Sequence, residues 1–448
     1  MAKAINPHTL QNGKQEGPKV LVNDPSPLDE ALYIPSVSPS YAQHVHSGSY
    51  ERSMPGGLDV QDLNFLDPNN SLFRIGYVMS SAGQALYQKK PCIITDRDRS
   101  ATSLICDSGG WAIAQQTAGI DGFRDRGLIL GWMEDHADFG MTLDVPVGNA
   151  GKDDYPFKTV KACLDATLEH LDFFERHHTP GRVCWLNVVQ ARTAKGGYDW
   201  YNAVKKFDFC SGWAVAGPQR KNFNYVLGLM LRMLDDGNLQ NKRHIHFLGT
   251  AELPIACLLT ALQRQLNRNG CNLRITFDTA APFTMMGKSD IYTLPVFTPK
   301  TLRLPQQAAP STYNCVKSDR AWPWPSAVGQ RLKLSDICVI DNAGSGYYRD
   351  DLSYDLIAHH NLTSICSAVA LSNRVMDAQR IDGIPKIALK LDLAIGALED
   401  VFKSGGSRDV LASHSHVFNA LSGTLLDNAE EAPDVPDDDG YTPPFMLE

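Results

Sequence analysis

Short apolar runs that end abruptly at a polar residue or a glycine recur along the central part of the chain. The clearest of them is L-I-C-D-S-G-G, in which three buried-type residues are followed by Asp107. Most of the runs are too short for helices and are rich in β-forming residues, so they predict buried strands. A glycine after such a strand lets the backbone turn sharply and approach a ligand closely. The six runs are Leu104–Asp107, Met141–Asp144, Val183–Gln190, Cys210–Gly217, His244–Gly249 and Leu273–Asp278.

Helical patterns fall between these runs. Five apolar residues at helical spacing, Val160, Leu164, Leu168, Leu171 and Phe174, form one stripe and predict an amphipathic helix. Strands that alternate with helices through short links indicate right-handed parallel β/α units. The number and spacing of the units favour a (β/α)8 barrel, with a doubly wound open sheet as the alternative. The predicted helices are 157–177, 198–206, 222–234, 251–267 and 386–403.

Changes in composition and in hydrophobic pattern divide the 448-residue chain into five segments of one decorated α/β barrel. The first is rich in Pro, Ser, Gly and Asn, and it includes His44 and His46, for which a solvated loop is the simplest interpretation. A strand is predicted at Phe73–Met79, and Pro91–Thr95 is either another strand or a buried connector. The segments are an irregular N-terminal arm (1–72), the main part of the barrel (73–282), a long Pro-rich insertion (283–353), a C-terminal helical part that completes the barrel (354–425) and an acidic disordered tail (426–448).

Composition narrows the class of protein. The formal net charge of −8 argues against a general nucleic-acid-coating protein but leaves room for a local basic groove. The ten cysteines show no C-x-x-C pairing, and several lie inside apolar runs, which is typical of reduced core residues in a cytoplasmic protein. Neither an export signal nor a membrane-spanning run is recognisable, so no membrane partner is expected.

The ends of the predicted strands carry a set of chemically useful residues. Because chemistry gathers at the carboxyl ends of parallel strands, we expect these residues to line one mouth. Two carboxylates there can divide the work of nucleophile and proton-transfer group, while a third carboxylate and an amide can bind a planar heterocycle. The alternative for each Asp taken singly is an N-cap of the following helix. The residues are Asp107, Ser108, Gly109, Gly110, Asp144, Gln190, Gly217, Gly249 and Asp278.

Taken in order, six segments resemble the tRNA-guanine (queuine) transglycosylases and their DNA-acting relatives, over about residues 73–361. The D-S-G-G-[FYW] segment of that family is similar to residues 107–111, and its A-D-x-x-M-x-x-D-x-x-P segment is similar to 137–146 with a one-residue slip at the proline. The I-V-Q, G-Y-A-[IV]-G-G, Y-L-M-G-V-G-T and M-F-D segments are similar to residues 187–190, 212–217, 246–250 and 276–278.

The resemblance implies a decorated (β/α)8 barrel that exchanges a nucleic-acid base. Asp278 would attack C1′ of a nucleotide and expel guanine to give a covalent sugar intermediate, and Asp107 would transfer the proton. Asp144, Gln190 and the backbone around Gly217 would hold the purine-like ring of an incoming free 7-deazaguanine. Ser108, Gly109, Gly110 and Gly249 would complete the binding site. The target nucleotide would be flipped out or single-stranded.

Zinc in that family is held by a C-x-C-x-x-C cluster and a later histidine. Here His360-Asn361-Leu362 is similar to the histidine segment, but only Cys338 stands near the place of the cluster. Asp336 and Asp341 could supply oxygen ligands instead, although zinc prefers nitrogen and sulfur. No cofactor is therefore established, and zinc stays open.

Further departures favour the DNA-acting branch. After Asp278 the chain continues Thr-Ala-Ala-Pro-Phe-Thr, without the basic anchors expected for an RNA loop. Exchange on tRNA is the first alternative, a non-catalytic nucleic-acid-binding barrel partner the second, and a glycoside hydrolase a weaker one. Trp322 and Trp324 could stack bases or pack in the core, and His244 and His246 are either zinc ligands or hydrogen-bonded strand histidines. A homodimer is possible, and the location is the cytoplasm, or the host cytoplasm for a phage protein.

Overall fold

Eight parallel strands carry their carboxyl ends to one face in the computed structural model, which describes residues 29–88, 90–110, 122–153, 155–341, 346–382 and 386–421. They pair in the order β1-β8-β7-β6-β5-β4-β3-β2, and a parallel bridge between Ser36 and Met79 joins the two edges. The sheet is therefore a nearly closed (β/α)8 barrel, as predicted, and the open-sheet alternative is wrong. The strands are β1 Leu32–Pro35, β2 Tyr77–Ser81, β3 Ser103–Asp107, β4 Phe139–Met141, β5 Cys184–Gln190, β6 Gly212–Ala216, β7 His244–Phe247 and β8 Arg274–Thr279.

Helices between the strands cover the outside of the barrel. The helix Val160–His177 begins where Thr159 accepts a hydrogen bond from the Ala162 N–H, and it buries Phe174 against Trp185 of β5. Val160, which we placed on the buried stripe, is exposed in the first turn. The longer helices are Pro39–Ser47, Ala82–Gln88, Gly122–His136, Val160–His177, Ala194–Val204, Phe223–Asp235, Leu253–Arg268, Asp351–Asp382, Leu389–Lys403 and Arg408–Ser413, with short ones at Ala281–Thr284 and Thr312–Cys315.

The N-terminal arm is where the structure differs most from expectation. Within the segment predicted to be irregular, Leu32–Pro35 forms the first barrel strand and pairs with β8. This strand is only four residues long and ends in proline, so it shows no alternation that a pattern could detect. It is buried because it fills the gap between β8 and β2.

The helix Pro39–Ser47 also lies in that segment and had clear end signals. Ser38 caps its N-terminus, proline occupies the first turn, and Gly48 ends it with a φ of 64°. His44 and His46 lie on this helix, so the solvated-loop interpretation is wrong. The Nδ1 atom of His44 lies 3.0 Å from Oδ2 of the buried Asp355.

Strand boundaries shift in two other places. β2 starts at Tyr77 instead of Phe73, and residues 91–95 form a turn-rich connector. β4 ends at Met141, so Asp144 lies three residues beyond the strand instead of at its end. Because β4 pairs over only three residues, the rest of its apolar run forms a buried loop.

The segment after β8 lies outside the alternation of barrel strands and helices. Three small antiparallel pairs lie within it: β9 Asp290–Tyr292 with β12 Gln306–Ala308, β10 Val296–Phe297 with β11 Leu302–Arg303, and β13 Val339–Ile340 with β14 Tyr347–Tyr348. The helix Asp351–Asp382 then packs beside Leu253–Arg268 and contacts β1, which completes the outer layer. Residues 1–28 and the predicted acidic tail lie outside the described residues. None of the described helices has the length and apolar character that a membrane span requires.

Candidate active site

Asp278 lies near the carboxyl end of β8 and is held by the loop that follows β7. Its Oδ1 atom accepts a hydrogen bond from the Gly249 N–H at 2.7 Å and lies 3.1 Å from Nε2 of His246. Its backbone carbonyl accepts from the Thr250 N–H at 2.7 Å. Gly249 has a φ of 59°, a conformation that favours glycine, and this turn aims its N–H at the carboxylate. Asp278 is only 4% exposed, yet it has donors on one side.

Asp107 is the last residue of β3, and its Oδ2 atom accepts from the Gly109 N–H at 3.0 Å. Burial and, to a smaller extent, the negative charge of Asp278 raise the pKa of Asp107 to about 6. The two carboxyl groups therefore lie within electrostatic reach of each other in one mouth. The ordering of the strands brings this about, because β3 and β8 end at the same face.

Two glycines after Asp107 allow three loops to meet. A Cβ atom at Gly109, whose φ is 79°, would lie 2.9 Å from Ser81 Oγ, and a Cβ at Gly110 would lie 2.4 Å from the carbonyl oxygen of Asp144. Larger residues would push the loops after β2, β3 and β4 apart. Between them, Ser108 is fully buried, and its hydroxyl makes no hydrogen bond with any described residue.

Asp144 and Gln190 form a single hydrogen-bonded unit. The amide nitrogen of Gln190 donates to Asp144 Oδ2 and to the Val145 carbonyl, and its Oε1 atom accepts from the Val147 N–H. Burial and, to a smaller extent, the charge of Asp107 raise the pKa of Asp144 to about 7. The Gln190 amide is thus occupied in positioning the Asp144 loop, a role that the sequence did not suggest.

Gly217 and Gly249 complete the circle around the mouth. Gly217 has a φ of 73° and lies against Gln190 and Ala191 at the end of β5. The Arg220 guanidinium donates to the carbonyl oxygens of both Gly217 and Gly249 and so joins the loops after β6 and β7. All nine residues predicted for the site therefore belong to one continuous rim.

Sequence reasoning missed three residues whose side chains organise the candidate site. Arg220 follows Gly217 in the P-Q-R-K turn, where a basic residue at a strand end was an available signal. His246 was taken as one of two strand histidines, whereas it contacts Asp278 directly. Thr276 lies between the two histidines, which the sequence could not show because the contact depends on strand register.

The candidate metal ligands in the insertion and in the helix Asp351–Asp382 are engaged in other contacts. His360 Nδ1 lies 2.8 Å from Ser326 Oγ, and its Nε2 lies 2.9 Å from the Tyr292 carbonyl. Asp336 accepts from the Lys333 N–H, and the Cys338 thiol lies near backbone carbonyls.

No three His, Cys, Asp or Glu side chains converge on a metal position within the described residues. Asp341 has its backbone N–H bonded to the Gly346 carbonyl. Whether the protein binds zinc stays open, as it was from the sequence.

Trp322 and Trp324 pack against each other with 5.0 Å between ring centroids, and Trp322 also packs on His360. Trp322 is buried, which favours the packing interpretation over base stacking for this residue.

A cavity of about 280 Å³ lies beside Ser80, among the helices that flank β2, and none of the nine predicted site residues lines it. Its wall includes Ala42 and Gln43 from one helix and Trp132 and His136 from another.

Neither a protein-family model nor a curated protein matches this chain.

Proposed function

We propose that this protein exchanges guanine in DNA for a 7-deazaguanine base through a covalent sugar intermediate on Asp278. The observation that supports it best is the arrangement of Asp278 and Asp107 in one mouth, with their charges coupled and a third carboxyl group, Asp144, beside them. Carboxyl groups that share a site but differ in surroundings are suited to different roles in one reaction.

In the first step, a carboxylate oxygen of Asp278 forms a bond to C1′ of the target nucleotide. The C1′–N9 bond breaks, its electron pair goes to the guanine, and the departing base takes a proton from Asp107. A pKa of about 6 suits this role, because the carboxyl group keeps its proton near neutrality more readily than an ordinary aspartic acid.

In the second step, the incoming 7-deazaguanine gives its N9 proton to the Asp107 carboxylate and attacks C1′. The ester bond to Asp278 breaks, the electron pair returns to that carboxylate, and Asp107 is again protonated. Two displacements at one carbon retain the configuration of the sugar, as in the two-carboxylate glycosidases.

Binding of the base fits the opposite side of the mouth. The Asp144 carboxyl group can accept hydrogen bonds from ring N–H and amino groups, and Gln190 fixes its orientation. The buried hydroxyl of Ser108 lies in the same rim and has a donor to offer.

Cationic side chains on one arc of the rim favour a polyanionic substrate. Lys158, Arg192 and Arg220 lie on the loops after β4, β5 and β6 and donate to backbone carbonyls. Unlike Lys221, which pairs with Glu252, none of the three forms an ion pair with a carboxylate among the described residues, so their charge is available to phosphate groups. These three charges form a local basic arc on a chain whose formal net charge is −8.

The segment after Asp278 supports DNA over tRNA. Residues 279–284 end β8 and form the short helix Ala281–Thr284, and they include no lysine or arginine. The first alternative function is the same exchange on tRNA. The second alternative is a non-catalytic barrel partner that only binds nucleic acid.

Incubation of the purified protein with labelled 7-deazaguanine and either duplex DNA or bulk tRNA tests the proposal. We expect label in DNA. Label in tRNA alone contradicts the choice of substrate, and label in neither nucleic acid, with nucleic acid still bound, favours the non-catalytic partner.

A further inference from the structure

A line of polar side chains runs through the interior of the barrel beneath Asp278. His244 Nε2 lies 2.7 Å from Thr276 Oγ1, Thr276 Oγ1 lies 2.7 Å from His246 Nδ1, and His246 Nε2 lies 3.1 Å from Asp278 Oδ1. Neighbouring positions of β7 and β8 supply all four residues, because His246 pairs with Thr276 in register.

This line occupies space that barrels usually fill with branched apolar residues. The Phe139 ring of β4 packs on His244 with 4.7 Å between centroids, so His244 points into the interior. His244, His246 and Thr276 are at most 1% exposed. Burying such groups is costly unless each is hydrogen-bonded, and here the bonds join into one chain that ends at the site.

With Asp278 as a carboxylate and His246 as a neutral ring, the donors and acceptors of the chain admit one consistent order. An ionised carboxylate only accepts, so His246 carries its hydrogen on Nε2. The Nδ1 atom of the neutral ring then accepts from the Thr276 hydroxyl, whose oxygen accepts from Nε2–H of His244. Burial and the neighbouring His246 lower the pKa of His244 well below its ordinary value, which keeps that ring neutral.

Both donors at Asp278 fall on the same oxygen. His246 and the Gly249 N–H both hydrogen-bond to Oδ1, and Oδ2 accepts no hydrogen bond from any described residue. Oδ2 is therefore the oxygen available to the sugar. When the ester bond between Oδ2 and C1′ breaks, its electron pair goes to Oδ2, and resonance shares the negative charge with Oδ1, where two preorganised donors stabilise it.

We propose that His244, Thr276 and His246 form a positioning relay that holds Asp278 by Oδ1, leaves Oδ2 to attack C1′ and assists departure of the carboxylate in the second step. This inference rests on the proposed function for its chemistry. The relay itself is a property of the protein without substrate, so the two can be tested separately.

The first experiment needs no substrate. NMR of the protein labelled with ¹⁵N-histidine, with His246 assigned through the missing signal of His246→Gln, reports which ring nitrogen carries hydrogen. We expect the neutral Nε2–H form of His246, and a change of its signals in Thr276→Val but not in Thr276→Ser, which keeps the hydroxyl. A charged ring or an Nδ1–H form overturns the relay, whatever the substrate.

The second experiment follows turnover and the covalent intermediate together. His246→Leu removes the donor, and we expect kcat to fall about 10²-fold at similar KM for the base, since a small misplacement of a reacting group costs that much. The fraction of nucleic acid in denaturant-resistant adduct should rise at the same time, because the second step is slowed. His246→Gln, whose amide can donate in place of Nε2, should recover much of the rate.

The outcomes separate the two proposals. Wild-type protein that labels neither nucleic acid contradicts the proposed function, and the NMR result still decides the relay. Normal kcat and adduct levels in folded His246→Leu, beside an inactive Asp278→Asn, overturn the relay and leave the exchange reaction intact. If His246→Leu does not fold, kcat and adduct levels of His246→Gln and Thr276→Val decide whether the relay exists.

Discussion

The two sides of the barrel mouth surround their carboxyl groups differently. On the side of β7 and β8, Asp278 receives a backbone N–H and an imidazole on one oxygen. On the side of β3 and β4, Asp107 is half-buried and Asp144 is buried, and the loss of water together with neighbouring carboxylate charge raises the pKa of both, to about 6 and about 7. Donors stabilise an anion and burial favours the protonated form.

This difference fits the roles that we propose. The β8 side presents an oriented carboxylate, as a nucleophile requires, while the β3 side presents groups that gain and lose a proton near neutral pH. A glycoside hydrolase could use similar contrasts, but the loops here add a cationic arc, which suits a nucleic acid better than a neutral sugar.

Replacing the nucleophile should have the largest effect. Asp278→Asn keeps the shape of the side chain and the Oδ1 atom that accepts the two hydrogen bonds, but it removes the negative charge. We therefore expect the rate of base exchange to fall by about 10⁴-fold or more. The denaturant-resistant adduct should disappear as well. Asp165→Asn, at an exposed ion pair on the helix behind the barrel, is the matched control and should behave as wild type. Turnover by Asp278→Asn would assign the nucleophile to another residue.

Replacing the proton-transfer group, Asp107, should have the next largest effect. For Asp107→Asn we expect a loss of about 10²- to 10³-fold in kcat, since a proton can no longer be given or taken at that position. In wild type, the rate of exchange should change with an inflection near pH 6, where Asp107 passes from protonated below to ionised above. Rates measured from pH 5 to 8 should lose this inflection in the variant. Its persistence would point to a different group.

Replacing Asp144 should show how much the burial of its carboxyl group lowers the free energy of unfolding as the pH rises. Its folded pKa of about 7 lies above the unfolded value of about 3.9, so the stability that it contributes is present at low pH and is lost as the pH rises toward 7. Between pH 5 and pH 8 we expect the free energy of unfolding to fall by about 2–3 kcal/mol less in Asp144→Asn than in wild type. Urea denaturation at both pH values measures it, and equal losses in the two proteins would contradict the shift.

The cationic arc should give the smallest effect. Arg192→Gln and Lys158→Gln should each weaken DNA binding. Each should also reduce the slope of log K against the logarithm of the salt concentration by about one, the value for one phosphate contact. Lys161→Gln, which alters an exposed lysine paired with Asp165 on the outer helix, serves as the control. Binding titrations at several salt concentrations give the slopes. Unchanged slopes in both arc variants would place the phosphate contacts elsewhere.

Strand ends were predictable because the signal is local. The run L-I-C-D-S-G-G places Asp107 at the end of a buried strand without any knowledge of the neighbours, and the run that ends at Asp278 does the same. β1 was not predictable in this way, because Leu32–Pro35 is strand only through its partners on either side. Asp144 shows an intermediate case, since the apolar run was correct but the pairing stopped at Met141.

The amino-acid sequence by itself determined which residues stand at the ends of the strands, since apolar runs and glycines act over a few positions. Only the tertiary structure decided that the Gln190 amide holds Asp144, that Arg220 joins two loops and that Thr276 links two histidines to Asp278. Those contacts depend on the register of paired strands and on closure of the barrel. The pKa shifts of Asp107 and Asp144 have the same origin, because removal of water and the approach of other carboxylates exist only after distant segments have packed together.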